Sequence, residues 1–162
     1  MASAEATAIR EQLRLLGESV GGSESVEEQR AQYEMAAAMM TVAPEGVSWT
    51  EVDAGGVPAI WADPEGCSPD HVVMYVHGGG YVLMSAETHR KMVGHIAKAT
   101  GCRALNVDYR LAPEHAHPAA VEDSVTAYRW LLAQGLEPGH IAISGDSAGG
   151  GLCIATALKI RD

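Results

Sequence analysis

The sequence is poor in long apolar runs, in positive charge and in cysteine, and each shortage excludes a class of protein. No stretch of the 162-residue chain approaches the roughly 18 uninterrupted apolar residues that a membrane span needs. Residues 1–5 have neither a basic start nor an apolar core, so secretion is not indicated. Eleven Lys and Arg stand against 21 Asp and Glu, which gives a formal net charge of −10. Because so negative a surface repels phosphate backbones, we expect no nucleic-acid partner.

The cysteines do not form the patterns that bind zinc or build a disulfide framework. Cys67, Cys102 and Cys153 are odd in number, widely spaced and without a C-x-x-C pair. This favours three reduced thiols and a cytoplasmic location. Two histidines, His115 and His117, lie two residues apart with no third ligand evident, so we expect no metal.

The first of two N-terminal helices is predicted over 4–16. Ile9, Leu13 and Leu16 recur on one stripe of that helix, and Gly17 is predicted to stop it.

The second helix is predicted from a capping box. Ser25 followed by Glu28 is typical of a helix start, and the helix is expected to run to about Met40. Its apolar side is rich in alanine and methionine, at Met35, Ala36, Met39 and Met40. Such an adaptable side fits either a packing helix or a lid that faces substrate.

From residue 47 onward, the hydrophobic period becomes strand-like. Residues 47–52 and 57–61, separated by Ala54-Gly55-Gly56, predict an antiparallel hairpin. Strands are then predicted over 72–76, 102–107 and 141–144. They alternate with helices over 86–100 before Gly101, over 118–134 between Pro118 and Gly135, and over 148–160. A hairpin followed by alternating strands and helices predicts an α/β fold with a mainly parallel sheet.

The first constellation that can carry chemistry is Gly145-x-Ser147-x-Gly149. It follows a predicted apolar strand and precedes a predicted helix, which is the setting of a nucleophile elbow. The helix that begins at Ala148 directs its positive end at the site. A phosphate-binding loop would need a lysine that is absent here, and no dinucleotide fingerprint occurs at this strand.

The second constellation is His77-Gly78-Gly79-Gly80, at the end of the predicted buried strand 72–76. Consecutive glycines allow backbone N–H groups to converge on one point, as an oxyanion hole requires.

The third constellation is residues 108–115, predicted to be an ordered loop. Arg110 and Glu114 are of opposite charge and could pair to fix it.

Three segments, HGGGY at 77–81, DYRLAPEH at 108–115 and GDSAGGG at 145–151, closely resemble the hormone-sensitive-lipase-like family of α/β-hydrolases. Members of this family are mostly bacterial carboxylesterases that act on short acyl esters without metal or organic cofactor. The resemblance implies an α/β-hydrolase fold in which residues 1–40 are helices of a cap. Residues 41–162 would then be the N-terminal part of the catalytic domain.

The resemblance also implies roles for single residues. Ser147 would be the nucleophile, and the N–H groups of Gly78, Gly79 and Ala148 would form the oxyanion hole. His77 would hold the glycine loop in shape. Gly80 and Asp146 would support the same loop and elbow.

The chain departs from the family at three positions. Met84 stands where relatives often have glycine, and Arg90 follows His89 where an aspartate is common. His117 occupies a position that is usually aromatic.

The acid and base of a serine triad follow the nucleophile in this fold, yet only residues 148–162 follow Ser147 here. We therefore expect a fragment of a longer esterase, truncated after the nucleophile helix and inactive by itself. A non-catalytic binding protein on the same fold, like the gibberellin receptors, is the alternative, and an inactive truncated product is another. Strand 141–144 would be an exposed sheet edge, open to aggregation or self-association.

Overall fold

A computed structural model describes residues 3–20 and 25–162 of the chain, without the side chains of residues 16–20 and 40. Within this part, five strands form a single sheet in the order β1-β2-β4-β3-β5. The strands are β1 Val47–Asp53, β2 Pro58–Pro64, β3 Ser68–Val76, β4 Cys102–Val107 and β5 Ile141–Gly145. The helices are α1 Ala4–Val20, α2 Val26–Met40, α3 Ala86–Thr100, α4 Ala119–Ala133 and α5 Ala148–Arg161.

The sheet is mixed but mostly parallel, as the sequence predicts. β1 and β2 form the predicted antiparallel hairpin, and β2 is also antiparallel to β4. β3 is parallel to both of its neighbours, β4 and β5. Four of the five strands therefore point the same way. Helix α3 connects β3 to β4, and helix α4 connects β4 to β5.

Strand β3 is buried on both faces, which explains its near-continuous apolar run. Val72, Met74 and Val76 face a cluster that includes residues of α4 and α5. Val73 and Tyr75 belong to a second cluster, which contains residues of α3. Because helices cover both faces, alternation of polar and apolar residues is lost in this strand.

Helices α3 and α4, which lie between strands of the sheet, begin and end near their predicted positions. α3 starts with a capping box in which Ser85 accepts from the backbone of Thr88, and it ends at Gly101 with φ +66°. α4 begins directly after Pro118 and is followed by Gly135, whose φ is +93°. Left-handed φ values of this kind are the conformation that glycine adopts at low cost.

The N-terminal helices differ from prediction in two respects. Gly17 does not stop α1, which continues to Val20, because one interior glycine costs only about 1 kcal/mol. The predicted stripe is also not buried: Ile9 and Leu13 are half exposed, and the side chain of Leu16 lies outside the described residues.

The capping box of α2 is confirmed, since Ser25 and Glu28 exchange hydrogen bonds. Its predicted apolar side does not pack as a unit. Met35 and Met39 are 70% and 84% exposed, and the side chain of Met40 is not described. No helix in the described ranges is both long enough and apolar enough to cross a bilayer.

Candidate active site

Ser147 occupies a sharp turn between the end of β5 and the start of α5. Its backbone has φ +48° and ψ −118°, a region that residues with a side chain rarely adopt. Strain of this type costs about 1–3 kcal/mol and is concentrated at functional sites. The residue is exposed, and among the described residues its hydroxyl has no hydrogen-bond partner.

The glycines on either side of Ser147 allow two pieces of backbone to touch. A Cβ atom at Gly145 or at Gly149 would overlap the carbonyl oxygen of Val76, at the end of β3. Any larger residue would therefore push the turn away from the sheet. This is the close approach that the G-x-S-x-G spacing predicts.

Asp146 ties the elbow to the glycine loop. Its Oδ1 atom accepts hydrogen bonds from the hydroxyl of Tyr75 at 3.0 Å and from the backbone N–H of Gly78 at 2.9 Å. The Nε2 atom of His89 lies 3.3 Å from the same oxygen. These contacts join β3, α3 and the elbow at one carboxylate.

The bond from Gly78 to Asp146 changes the expected set of oxyanion donors. The N–H of Gly78 already has an acceptor, so it is not free to bind a developing oxyanion in this arrangement. Within the described residues, the N–H groups of Gly79, Gly80 and Ala148 have none. The sequence could not reveal this, because the two partners are 68 residues apart.

His77 is completely buried beneath this loop. Its ring stacks on Tyr109 with centroids 4.3 Å apart, and its Nδ1 atom lies 2.7 Å from the carbonyl oxygen of Gly78. The hydroxyl of Tyr109 donates to the carbonyl oxygen of His77 at 2.7 Å. Burial lowers the pKa of His77 below its usual value. A neutral ring packed in this way fixes the backbone on which Gly78 and Gly79 lie.

The predicted pair between Arg110 and Glu114 does not form. Arg110 instead makes a two-pronged ion pair with Asp123 of α4, with its Nη2 atom 2.7 Å from Oδ1. Glu114 is bound by Arg30 of α2 at 2.9 Å. Both partners, Asp123 on α4 and Arg30 on α2, lie on helices outside the loop, so the local sequence of the loop does not reveal them.

Two cavities lie beside the glycine loop. The first, which we name the α2–α3 cleft, has a volume of about 310 Å³ and lies between the N-terminal helices and α3. Its walls are formed by Leu13, Tyr33, Ala36, Ala37, Thr41, Met84, Thr88, His89, Met92 and Asp146. The second cavity, of about 480 Å³, includes Gly80, Tyr81, His115 and His117 in its lining.

Sequence reasoning missed Tyr75 and His89 as part of this site. Tyr75 belongs to an apolar strand, and His89 lies within a helix, so neither is in a motif segment. For Tyr75, the available signal was a polar hydroxyl within a strand predicted to be buried. No group of three or more side chains that could hold a metal occurs in residues 3–20 and 25–162.

Comparison with known proteins places this geometry in a family. The sequence profile of the alpha/beta hydrolase fold matches residues 73–162. An acetyl-hydrolase of Streptomyces hygroscopicus is 38% identical over 165 residues, which is 100% of this chain and 53% of the relative. An esterase from the bacterial hormone-sensitive lipase family superposes with a TM-score of 0.86 at 43% identity, covering 99% of this chain and 54% of that structure. A solved structure named EstE5-PMSF gives 0.87 at 44% identity, covering 99% and 54%.

The chain belongs to the α/β-hydrolase fold family. Within that fold it is a hormone-sensitive-lipase-like hydrolase, as the three sequence motifs predict. It spans about half the length of the relatives that it matches.

Proposed function

We propose that this chain supplies the nucleophile and the oxyanion-binding groups of a serine carboxylic ester hydrolase that acts on short acyl esters. The observation that carries the proposal is the exposed Ser147 in a strained turn, beside N–H groups that have no acceptor in the described part of the chain. The relatives named acetyl-hydrolase and esterase support the same class of reaction.

In this mechanism, the Oγ atom of Ser147 attacks the ester carbonyl and the carbonyl oxygen becomes an oxyanion. A base takes the proton of Ser147 and returns it to the departing alcohol as the tetrahedral intermediate collapses, which leaves an acyl-enzyme. Water then hydrolyses this ester, releases the acid and restores the serine hydroxyl. The reaction needs no metal and no organic cofactor. The positive end of α5 lies at Ser147 and favours the developing charge.

Three backbone donors are proposed for the oxyanion. Gly79 and Gly80 replace the pair Gly78 and Gly79 expected from the sequence, because Asp146 occupies the N–H of Gly78. Ala148, the first residue of α5, provides the third N–H. In this arrangement Asp146 and His77 are positioning residues that hold the glycine loop against the elbow.

Ser147 has no base to activate it among the described residues. His89 lies against Asp146, and His115 and His117 line the second cavity. Loss of the base from a serine triad lowers turnover by about 10⁶, or about 8 kcal/mol. We infer that the base must come from polypeptide beyond these residues, and that residues 1–162 alone hydrolyse esters negligibly.

Residues 1–40 are proposed to form part of a cap, and residues 41–162 part of the catalytic domain. The α2–α3 cleft supports this division, since α1 and α2 contribute one wall and Asp146, beside the nucleophile, contributes to the other.

A chimera tests the proposal directly. Residues 1–162 replace the matching segment of the Streptomyces hygroscopicus acetyl-hydrolase, whose remaining chain provides the rest of the fold. The chimera should hydrolyse p-nitrophenyl acetate and p-nitrophenyl butyrate, and Ser147→Ala should abolish this activity. Ser144→Ala, three residues earlier on β5, should leave it intact.

Residues 1–162 by themselves should show no Ser147-dependent turnover in the same assay. A chimera that melts cooperatively but hydrolyses neither ester would overturn the proposal. If that inactive chimera still bound the esters, the binding-protein alternative would replace it.

A further inference from the structure

Met84 stands out because its backbone adopts a conformation that favours glycine. Its φ is +67°, in the left-handed region, where a side chain brings a steric cost. Both flanks of the residue are fixed. The N–H groups of Val82 and Leu83 donate to the carbonyl oxygen of Gly79, and Ser85 caps α3. The backbone on both sides of Met84 is therefore held by hydrogen bonds.

The side chain of Met84 is one wall of the α2–α3 cleft. From α2, Ala36 and Ala37 line the same cleft, two small residues that leave space rather than fill it. Asp146, next to Ser147, lines the same cleft. The cleft therefore includes the neighbour of the proposed nucleophile and the long side chain of Met84 in one lining.

We propose that Met84 is a specificity-determining residue, which limits the length of the unbranched apolar chain that the cleft accepts from an ester. The inference rests on the proposed function, because it takes the occupant to be an ester. Burial of each added CH₂ group tightens binding by about fourfold. Affinity should rise with chain length until the chain reaches Met84, and then stop rising.

The apolar chain could belong to either side of the ester, so two series of ligands are needed. One series lengthens the acyl group in ethyl esters from acetate to octanoate. The other lengthens the alcohol in alkyl acetates from ethyl to octyl. The series whose chain enters the cleft is the one whose affinity depends on Met84.

Binding is measured by isothermal titration calorimetry on the 162-residue chain that carries Ser147→Ala, so turnover plays no part in the readout. Met84→Ala removes the side chain beyond Cβ and keeps the left-handed strain. Met84→Gly makes the same space and relieves the strain. Both should extend the rise in affinity to longer chains, by about fourfold for each further CH₂. Met84→Gly should melt at the same temperature as Met84→Ala or higher.

Met35→Ala is the matched control, because Met35 is 70% exposed and does not line the cleft. It should leave the length profile unchanged. The proposal is overturned if both Met84 variants keep the original profile, if Met35→Ala extends it equally, or if no ester binds to any variant. The chimera assay with Ser147 intact decides the proposed function separately.

Discussion

The sheet and the N-terminal helices are held in place by different interactions. The sheet buries large apolar side chains on both faces, with Met74 and Leu105 in one cluster and Val73 and Tyr75 in the other. α1 is exposed along the whole of its described side chains, residues 4–15. Hydrophobic burial therefore fixes the sheet, whereas α2 is held against it by a few polar contacts.

The anchors of α2 can be named individually. Arg30 donates to the carbonyl oxygens of Val82 and Ala112, at 2.8 and 2.9 Å, as well as to Glu114. Glu34 accepts a short hydrogen bond from the hydroxyl of Ser85. Beyond the end of the helix, Lys91 of α3 donates to Thr41 at 2.9 Å. Because these polar contacts hold α2, the helix can shift with little loss of stability in the sheet.

The largest expected effect comes from the same substitution made in both regions. Leu105→Ala empties space in the fully buried core and should lower the free energy of unfolding by about 2–5 kcal/mol. Leu15→Ala, in α1 with 52% exposure, should change it by no more than about 0.5 kcal/mol. Urea denaturation of both variants measures the contrast. Equal losses would show that α1 is as much a part of the core as β4.

A smaller effect is expected when the main anchor of α2 is removed. Arg30→Met loses hydrogen bonds to two backbone carbonyls and one carboxylate, and should cost about 1–3 kcal/mol. Hydrogen exchange should accelerate in α2 while β3 and β4 stay protected. Arg129→Met, on the exposed side of α4, is the control and should change neither. Unchanged exchange in α2 would mean that other contacts hold the helix.

The smallest effect is a dependence on acid. The hydrogen bond from Arg30 lowers the pKa of Glu114 from 4.5 to about 2. Because the folded pKa lies below the unfolded one, the stability from this pair is present above pH 4.5 and is lost as the pH falls toward about 2.

Melting temperatures of the unchanged chain and of Glu114→Gln should therefore differ slightly at pH 6 and converge in acid. Glu137→Gln, also exposed, should not produce this convergence. A difference that persists to the lowest pH would contradict the assignment of the shift to Arg30.

The sequence predicts the sheet better than the contacts around it, and for a physical reason. A strand such as β3, buried on two faces, and a turn with a forced close approach at Gly145 and Gly149 leave local patterns of residue type. The pairing of Arg30 with Glu114 spans 84 residues and leaves no such pattern.

Helix ends also differ in how well the local sequence predicts them. Ser25 and Gly101 mark helix ends through local hydrogen bonds and backbone conformation, and these predictions are confirmed. Gly17 fails as a stop because its cost is small enough for the rest of the helix to offset. The proposed oxyanion donors combine both cases, because a local motif marks the glycine loop, whereas the distant carboxylate of Asp146 occupies the N–H of Gly78.

We propose that Ser147 is a nucleophile whose base lies outside the described residues. The most direct test is the rate at which a fluorophosphonate labels Ser147, followed by peptide mass spectrometry in the chimera and in residues 1–162 alone. We expect rapid labelling of Ser147 in the chimera and little in the chain by itself. Equal rates in both, or labelling of the chimera at another residue, would show that Ser147 does not depend on a base outside residues 1–162 or is not the nucleophile.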